Sequence, residues 1–138
     1  MSDGKRLIDP VRAFLCAPRC AVLATLSVDG APRQVVVHYT LCEDHVQLNA
    51  RSDRAWVVNL RRDPRVALIV HDHDDYLHYV SIRGSARVIA EGVGALADAM
   101  AQAERYGEDP ANFARQSRVS LRLDPDYIYE YPDSAARG

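Results

Sequence analysis

The chain has 138 residues, a length that suits one domain with its own hydrophobic core, and we treat residues 1–138 as a single domain. Hydrophobic residues make up 48% and charged residues 26%, as in globular proteins, and no apolar run is long enough to span a membrane. The formal net charge of −2 gives no electrostatic basis for nucleic-acid binding, which needs a basic surface.

The three cysteines, Cys16, Cys20 and Cys42, argue against a disulfide framework or a zinc site, because their number is odd and they form no CxxC pair. We interpret them as buried, reduced thiols. The early apolar residues are interrupted by Asp9 and Pro10, so no signal peptide is evident and a cytoplasmic location is expected.

The first half of the chain predicts one helix and three strands. Asp9 and Pro10 resemble an N-cap followed by proline at the first helical position. Residues 20–27 and 33–41 predict strands joined at a tight turn by Asp29-Gly30. Residues 45–49 alternate with period two, which completes a predicted three-stranded antiparallel meander.

His38 and Tyr39 fall inside the second predicted strand. Neighbouring side chains of a strand point to opposite faces, so one of the two could line a cavity, where it could form a hydrogen bond or transfer a proton. The alternative is that one side chain lies in the core and the other at the surface.

The stretch from Asn49 to Val70 predicts a strand end, a short helix and a second strand. Ser52 or Asp53 suits the helix N-cap. Arg51, Ser52 and Arg54 would then surround free N–H groups of the first turn, a combination that binds phosphate. A capped surface helix with scattered arginines is also common, so the pattern alone leaves both interpretations open.

Residues 71–75, HDHDD, form a polar segment between two strand patterns. The H-x-H spacing is compatible with a metal site, but the segment reads as a solvated loop and we expect it to bind no metal. No phosphate-loop lysine, G-x-S-x-G or G-x-G-x-x-G motif is present.

The second half predicts a bent strand over 76–90 with a bulge at Gly84, a helix over 91–106, and a final strand or strand pair over 119–131. The helix has apolar residues at helical spacing, namely Val93, Leu96, Ala97 and Met100. About six strands with few helices favour a small closed antiparallel barrel.

Four segments together resemble a known family: AVLATLSVDGAPRQVVVHY (21–39), NARSDRAWVVNLRRDPRVALIV (49–70), YVSIRGSARV (79–88) and RYGEDP (105–110). Their order and spacing are similar to those of the flavin- and deazaflavin-binding split β-barrel proteins related to pyridoxamine 5'-phosphate oxidase. Among these, the chain most resembles small actinobacterial proteins described as coenzyme F420-dependent. The resemblance implies a six-stranded antiparallel split barrel that forms a homodimer with cofactor grooves at the subunit interface.

The resemblance also implies site residues. Arg54 falls on a position that binds the cofactor phosphate in the family, and the backbone of Val35, Val36 and Val37 would face the ring, with His38 in the ligand pocket.

Two departures stand out: Trp56 replaces a frequent lysine, and Val36 and His38 replace a proline and a tryptophan. Arg51 is the alternative phosphate ligand, and the Trp56 indole would either stack on the ring or pack inward.

The expected function is therefore an oxidoreductase that passes a hydride from reduced F420 to a small electrophilic molecule. The same barrel with FMN, acting as a flavin reductase or oxidase, is the alternative. A non-catalytic protein that stores the cofactor or another planar ligand, and a heme-binding relative using His38, are further alternatives. The cofactor carries the redox chemistry in either enzyme, while the protein supplies orientation and anchoring.

Overall fold

The computed structural model describes residues 7–132. Its helices are α1 (Asp9–Cys16), α2 (Ala55–Arg62) and α3 (Gly92–Arg105), with a 3-10 helix at Pro110–Phe113, and its strands are β1 (Ala21–Leu26), β2 (Pro32–Val37), β3 (Thr40–Leu41), β4 (Val46–Arg51), β5 (Arg65–His71), β6 (Tyr79–Glu91) and β7 (Arg118–Tyr131). All pairings are antiparallel, in the order β2-β1-β5-β6-β7-β4-β3. This is the mainly β antiparallel architecture that the sequence predicts.

The strand count and one connection differ from expectation. There are seven strands because the predicted second strand ends at Val37 and resumes as the short β3. The predicted three-stranded meander is present only in part: β1 pairs with β2, and the short β3 pairs with β4, but β4 has its long pairing with β7, which the sequence did not predict. Within residues 7–132, β2 and β3 each pair with a single strand, so hydrogen bonding does not close the sheet into a barrel.

Tyr39 explains the interruption of the second strand. Its side chain is fully buried, and its hydroxyl, which has one hydrogen to donate, lies between the carbonyl oxygens of Leu15 at 2.9 Å and Ala17 at 3.0 Å. Arg105 reinforces the link, donating to the carbonyl of Tyr39 and to three carbonyls at the end of α1. The strand is therefore interrupted where Tyr39 turns inward and provides a hydrogen-bond donor to the free carbonyl groups at the C-terminal end of α1.

The core lies on the inner face of the sheet and under α1 and α2. It includes the apolar face of α1, formed by Val11, Phe14 and Leu15. The N-cap of that helix is Ile8 and not, as the sequence predicted, Asp9. The apolar pattern predicted for α3 is wrong: Val93 is 87% exposed, and the buried residues are Ala95, Ala99 and Ala103. Their small side chains let the helix approach β4 and β7 closely.

The cysteines are not buried as expected. Cys16 and Cys20 are exposed and Cys42 is half-buried, and all three are free thiols. Cys16 ends α1 and Cys20 precedes β1, at the surface where the chain passes from helix to sheet. Burial raises the pKa of the Cys42 thiol, and the nearby Asp44 adds to the effect.

The HDHDD segment is organised by one of its own carboxylates. Asp72 Oδ1 accepts hydrogen bonds from the backbone N–H of Asp74 at 2.7 Å and Asp75 at 3.1 Å, while Arg19 approaches Asp72 Oδ2 at 3.3 Å. Within residues 7–132 no group of three or more His, Cys, Asp or Glu side chains is arranged to hold a metal ion. The absence of a metal remains a prediction.

The bulge expected at Gly84 is present, with a register shift between Arg83 and Gly84 against β7. A Cβ at this position would lie 2.0 Å from the backbone oxygen of Asp124. We expect Gly84→Ala to lower the free energy of unfolding by about 2–3 kcal/mol, because the backbone of β7 must move to relieve the overlap. Urea denaturation measures this, with Gly94→Ala as control, since its Cβ would meet nothing closer than 3.9 Å. Equal stability of the two variants would contradict the close packing.

Candidate functional site

An open pocket of about 390 Å³ lies between the edge strand β2, the junction of β4 and α2, and the surface of α3. Seven of the eight predicted cofactor-binding residues line it: Val35, Val36, Val37, His38, Arg51, Arg54 and Trp56. The other lining residues, which the sequence did not indicate, are Asn49, Ala50, Ala99, Gln102, Ala103, Glu108, Phe113 and Arg118. Segments far apart in the chain thus converge on one surface.

The N-terminus of α2 differs from the sequence prediction. The N-cap is Arg54, not Ser52 or Asp53, and its carbonyl accepts from the N–H groups of Val57 at 3.0 Å and Val58 at 3.1 Å. The Ser52 hydroxyl donates to Ser117 Oγ at 3.1 Å, and Ser52 does not line the pocket. The first-turn N–H groups of α2 remain beside Arg54, since a helix provides no internal partners for them.

Three arginines meet at this end of the pocket. Arg51 and Arg118 are directly opposite each other on β4 and β7, and Arg54 follows three residues after Arg51. Burial lowers the pKa of the Arg118 guanidinium, and the positive charges of Arg54 and Arg51 lower it further. Like charges placed opposite each other on paired strands destabilise a sheet, so this arrangement favours a bound anion.

Neighbouring carboxylates offset the three positive charges only in part. Asp53 Oδ1 lies 3.3 Å from Arg51 Nε at the exposed rim. Glu108 is the one carboxylate among the pocket-lining residues. The pocket therefore keeps an excess of positive charge among its described residues.

Arg118 is held in a defined orientation. Its Nε donates to Asn49 Oδ1 at 2.8 Å, its Nη1 donates to Gln116 Oε1 at 2.6 Å, and its guanidinium lies 4.9 Å from the centre of the Phe113 ring. Asn49 is itself fixed, because its Nδ2 donates to the carbonyl of Ala95 at 2.9 Å. A preorganised guanidinium loses less entropy when it binds an anion.

The β2 wall of the pocket is an unpaired strand edge. Within the described residues β2 pairs only with β1, so alternate backbone N–H and C=O groups point away from the sheet. Val36 is 67% exposed on this strand. The wall thus combines backbone hydrogen-bonding groups with an apolar surface, a combination suited to a flat heterocycle.

His38 lies just beyond the end of β2, not inside a strand, and its side chain is 32% exposed at the pocket wall. Its imidazole stacks on the Tyr106 ring with centroids 3.7 Å apart and planes 2° from parallel. Its Nδ1 is 3.2 Å from Glu108 Oε1. The Tyr106 hydroxyl accepts from the N–H of Tyr39 and donates to the carbonyl of Arg19, so the stacking partner is also fixed.

Trp56 packs inward. It is 8% exposed and belongs to the main hydrophobic cluster, so only a small part of the indole reaches the pocket. Trp56 stands where the family that the sequence resembles frequently has a lysine, so this position supplies no positive charge here. The arginines of β4, α2 and β7 are then the cations available at this end of the pocket.

The sequence missed Arg118 and the partner of His38 for different reasons. Arg118 precedes an apolar strand pattern, and only the pairing of β4 with β7 brings it opposite Arg51. Glu108 lies within the RYGEDP segment, which carried the family resemblance but no assigned role. Arg118 could have been found only by knowing that β4 pairs with β7.

A family model for pyridoxamine 5'-phosphate oxidase matches residues 7–131. The chain belongs to this family. The fold of this chain is similar to several solved structures.

An F420 reductase superposes with a TM-score of 0.73 at 24% identity, covering 86% of this chain and 94% of that one. A conserved hypothetical protein from Mycobacterium tuberculosis gives a TM-score of 0.74 at 24% identity, with 91% and 86% covered. The heme storage protein HutZ from Vibrio cholerae gives 0.71 at 18% identity, with 91% and 94% covered. At these identities the likeness shows the fold of this pyridoxamine 5'-phosphate oxidase family member. No helix in residues 7–132 has the length and hydrophobicity needed to cross a bilayer.

Proposed function

We propose that the chain is an oxidoreductase that binds coenzyme F420 and passes a hydride from its reduced form to a small electrophilic molecule. The observation that carries this proposal is the group of three guanidiniums at one end of an open pocket whose other wall is an unpaired strand edge. A phosphate at Arg51, Arg54 and Arg118 and a flat ring along Val35, Val36 and Val37 match these two features. When bound, the deazaflavin supplies the hydride, which the protein cannot provide itself.

The residues of the chain would bind the cofactor phosphate, orient the ring and supply a proton to the substrate. Arg118, fixed by Asn49, and Arg54 at the α2 N-terminus hold the phosphate. The β2 edge orients the ring through backbone hydrogen bonds. His38 is the candidate proton donor: its Nδ1 lies 3.2 Å from Glu108 Oε1, so its second ring nitrogen is the one left for exchange with a substrate.

Binding of each cofactor to the purified protein tests this assignment. We expect F420 to bind with a change in its fluorescence and with greater affinity than FMN, and reduced F420 to be consumed when an electrophilic acceptor is present. FMN is the alternative cofactor, since it also presents a phosphate and a flat tricycle, and tighter FMN binding would favour a flavin reductase or oxidase. Absence of binding by both would overturn the enzymatic proposal.

A non-catalytic role in holding a planar ligand is the second candidate, supported by the similarity to the fold of the heme storage protein HutZ. His38 is the histidine among the pocket-lining residues and therefore the candidate heme ligand. Its Nδ1 faces Glu108, which leaves the other ring nitrogen for iron, and we rank this function lower because the similarity to HutZ is at 18% identity, against 24% for the F420 reductase. Heme titration followed by the Soret band, in wild type and His38→Ala, distinguishes the two functions.

We also propose a cytoplasmic homodimer whose partner covers part of the outer sheet face. The support is a group of partly exposed large side chains on this face: Ile69, Tyr127, Tyr129 and Tyr131, each 36–42% exposed. Tyr79 stacks on Tyr131 with centroids 5.5 Å apart and extends the aromatic surface. Light scattering after size-exclusion chromatography should give twice the mass of the 15.4 kDa chain. A monomer at micromolar concentration would contradict this proposal and would mean that a single chain forms the pocket.

His38→Ala should lower turnover of F420-dependent reduction by about a hundred- to a thousandfold, the lower part of the range for a lost proton donor, while cofactor affinity changes less. Glu108→Gln keeps a hydrogen-bond acceptor but removes the charge beside His38 Nδ1, and we expect a smaller loss of turnover. Steady-state rates and cofactor dissociation constants of both variants check this. Unchanged turnover in His38→Ala would assign the proton to solvent or to another residue.

A further inference from the structure

A continuous polar network runs beneath α3 and ends at Arg118. Asn49 and Ser120 are paired residues of β4 and β7, and the side chains of both contact α3. Ser120 Oγ donates to Asp98 Oδ2 at 2.7 Å and accepts from Asn49 Nδ2 at 3.0 Å. Asn49 Oδ1 accepts in turn from Arg118 Nε at 2.8 Å. Asp98 on α3 is thus connected to a guanidinium of the pocket through two intervening side chains.

The direction of every hydrogen bond in this network follows from Arg118. A guanidinium can only donate, so Asn49 presents its oxygen to Arg118 and its amide N–H to Ser120. The Ser120 hydroxyl then uses its single hydrogen for Asp98. Gln47 Nε2 donates to the same carboxylate oxygen at 2.9 Å. Asp98 therefore ends the network as an acceptor, and its carboxylate fixes the orientation of the Asn49 amide.

The network is sheltered from water. Ser120 is fully buried, and Asp98 and Asn49 are half-buried. The buried neighbours of Asp98 on α3 are Ala95 and Ala99, whose side chains form no hydrogen bonds. In such surroundings the hydrogen bonds of a chain polarise one another, so the negative charge of Asp98 strengthens Asn49 Oδ1 as an acceptor.

We propose that Asp98 is a positioning residue for the anion site. Through Ser120 and Asn49 it holds the Nε edge of Arg118, while Gln116 accepts from Nη1. The Nη2 group, which has no hydrogen-bond partner among the described residues, is then the part of the guanidinium left for the phosphate. This inference deepens the proposed function and rests on it, because it requires an anion in this pocket.

The charge of Asp98 distinguishes this role from simple electrostatic attraction. Removal of a carboxylate close to three guanidiniums should strengthen anion binding if only Coulomb interactions matter. Loss of a positioning residue should weaken anion binding instead. The direction of the change in affinity therefore decides between the two.

Asp98→Ala should weaken binding of the cofactor, F420 or FMN, about fivefold in a fluorescence titration, the size of one lost hydrogen bond. Asp98→Asn keeps an oxygen acceptor for Ser120 and should bind like the wild type. The same loss is expected in Ser120→Ala, which breaks the network without changing the charge and serves if Asp98→Ala does not fold. The matched control is Glu104→Ala, which removes an exposed carboxylate from α3 outside the pocket and should not weaken binding.

Two further measurements separate positioning from a purely structural role. In an Arg118→Ala background, Asp98→Ala or Ser120→Ala should cause no further loss, because a positioning residue acts only through the residue that it positions. The Nε–H resonance of Arg118 in 15N NMR spectra, assigned by its absence from Arg118→Ala, gives a signal that needs no ligand. This hydrogen should exchange slowly with water in wild type and Asp98→Asn, and faster in Asp98→Ala.

Distinct outcomes separate this inference from the proposed function. Unchanged or tighter binding in both Asp98→Ala and Ser120→Ala would overturn the role of Asp98 while the cofactor assignment stands. An equal loss with and without Arg118 would also overturn it, because the network would then support the fold alone. Failure of wild type to bind either cofactor would overturn the proposed function together with this inference.

Discussion

Replacement of Arg54 and Arg118 together by alanine should weaken binding of F420 or FMN by up to about a thousandfold, which is less than the product of the two single losses. Each guanidinium is positioned to make a charge-assisted hydrogen bond to the phosphate, and such bonds contribute roughly 1.5–3 kcal/mol each. Since 1.4 kcal/mol corresponds to a tenfold change in affinity, each single alanine variant should lose about ten- to a hundredfold. The double variant keeps Arg51 and the N–H groups of α2, so residual binding is expected.

The two single variants should differ in stability. Arg54 is an exposed N-cap without a side-chain capping bond, so its replacement should leave the free energy of unfolding nearly unchanged. Arg118 contacts Asn49, Gln116 and Phe113, and Arg118→Ala leaves Asn49 Oδ1 without that donor, so this variant should be less stable than wild type. Arg118→Lys retains the charge but loses the planar fork, so it should recover only part of the affinity.

Dissociation constants of the wild type, the two single alanine variants and the double variant form a double-mutant cycle, which also measures the coupling between the two arginines. Arg118 is close enough to Arg54 for the charges to repel, so removal of one eases the other, and the double loss should be smaller than the sum of the single losses. The control is Arg87→Ala, outside the pocket. Affinities in the double variant equal to those of the wild type, with the fold intact, would show that the phosphate binds elsewhere.

The sequence indicated Arg54 as a candidate phosphate ligand but did not indicate Arg118, and the reason lies in how each residue reaches the pocket. Arg54 precedes a helix within one continuous pattern of strand, helix and strand, so local periodicity is enough to place it. Arg118 reaches the same site through the pairing of β4 with β7, two strands that are far apart in the chain. Local patterns carry no information about which distant strands pair, so the predicted meander included the pairing of β4 with the end of the preceding strand but not its pairing with β7.

The errors at α3 and at the cysteines have a common origin. Hydrophobicity alone favoured Val93 as a buried residue, whereas the narrow space over β4 and β7 admits the alanines Ala95 and Ala99. Cys16 and Cys20 were assigned to the core from residue type, but they flank the surface connection between α1 and β1. Residue type gives only the average tendency of a side chain to be buried. Whether a particular side chain is buried depends also on how closely the helix approaches the sheet and on the path of the chain.

Trp56→Lys should destabilise the protein, although the family resemblance alone suggests that a lysine would restore a phosphate contact. The indole is 8% exposed and packs in the main hydrophobic cluster at the start of α2. Loss of a buried tryptophan costs about 3–5 kcal/mol, and a lysine would also have to move its ammonium out of the core. Since domains are stable by only about 5–15 kcal/mol, a substantial part of the native stability would be lost.

Urea denaturation and cofactor titration of Trp56→Lys together test this expectation, with two variants for comparison. Val58→Lys adds the same charge to α2 at a position that is 51% exposed, so it should leave stability nearly unchanged. Trp56→Phe keeps an aromatic side chain in the cluster and should lose less stability than Trp56→Lys. Tighter phosphate binding in Trp56→Lys at wild-type stability would show that the indole is dispensable for packing and that the lysine of related proteins can be restored here. Destabilisation confined to Trp56→Lys would instead mean that this chain uses the position for its core and relies on Arg51, Arg54 and Arg118 for the charge.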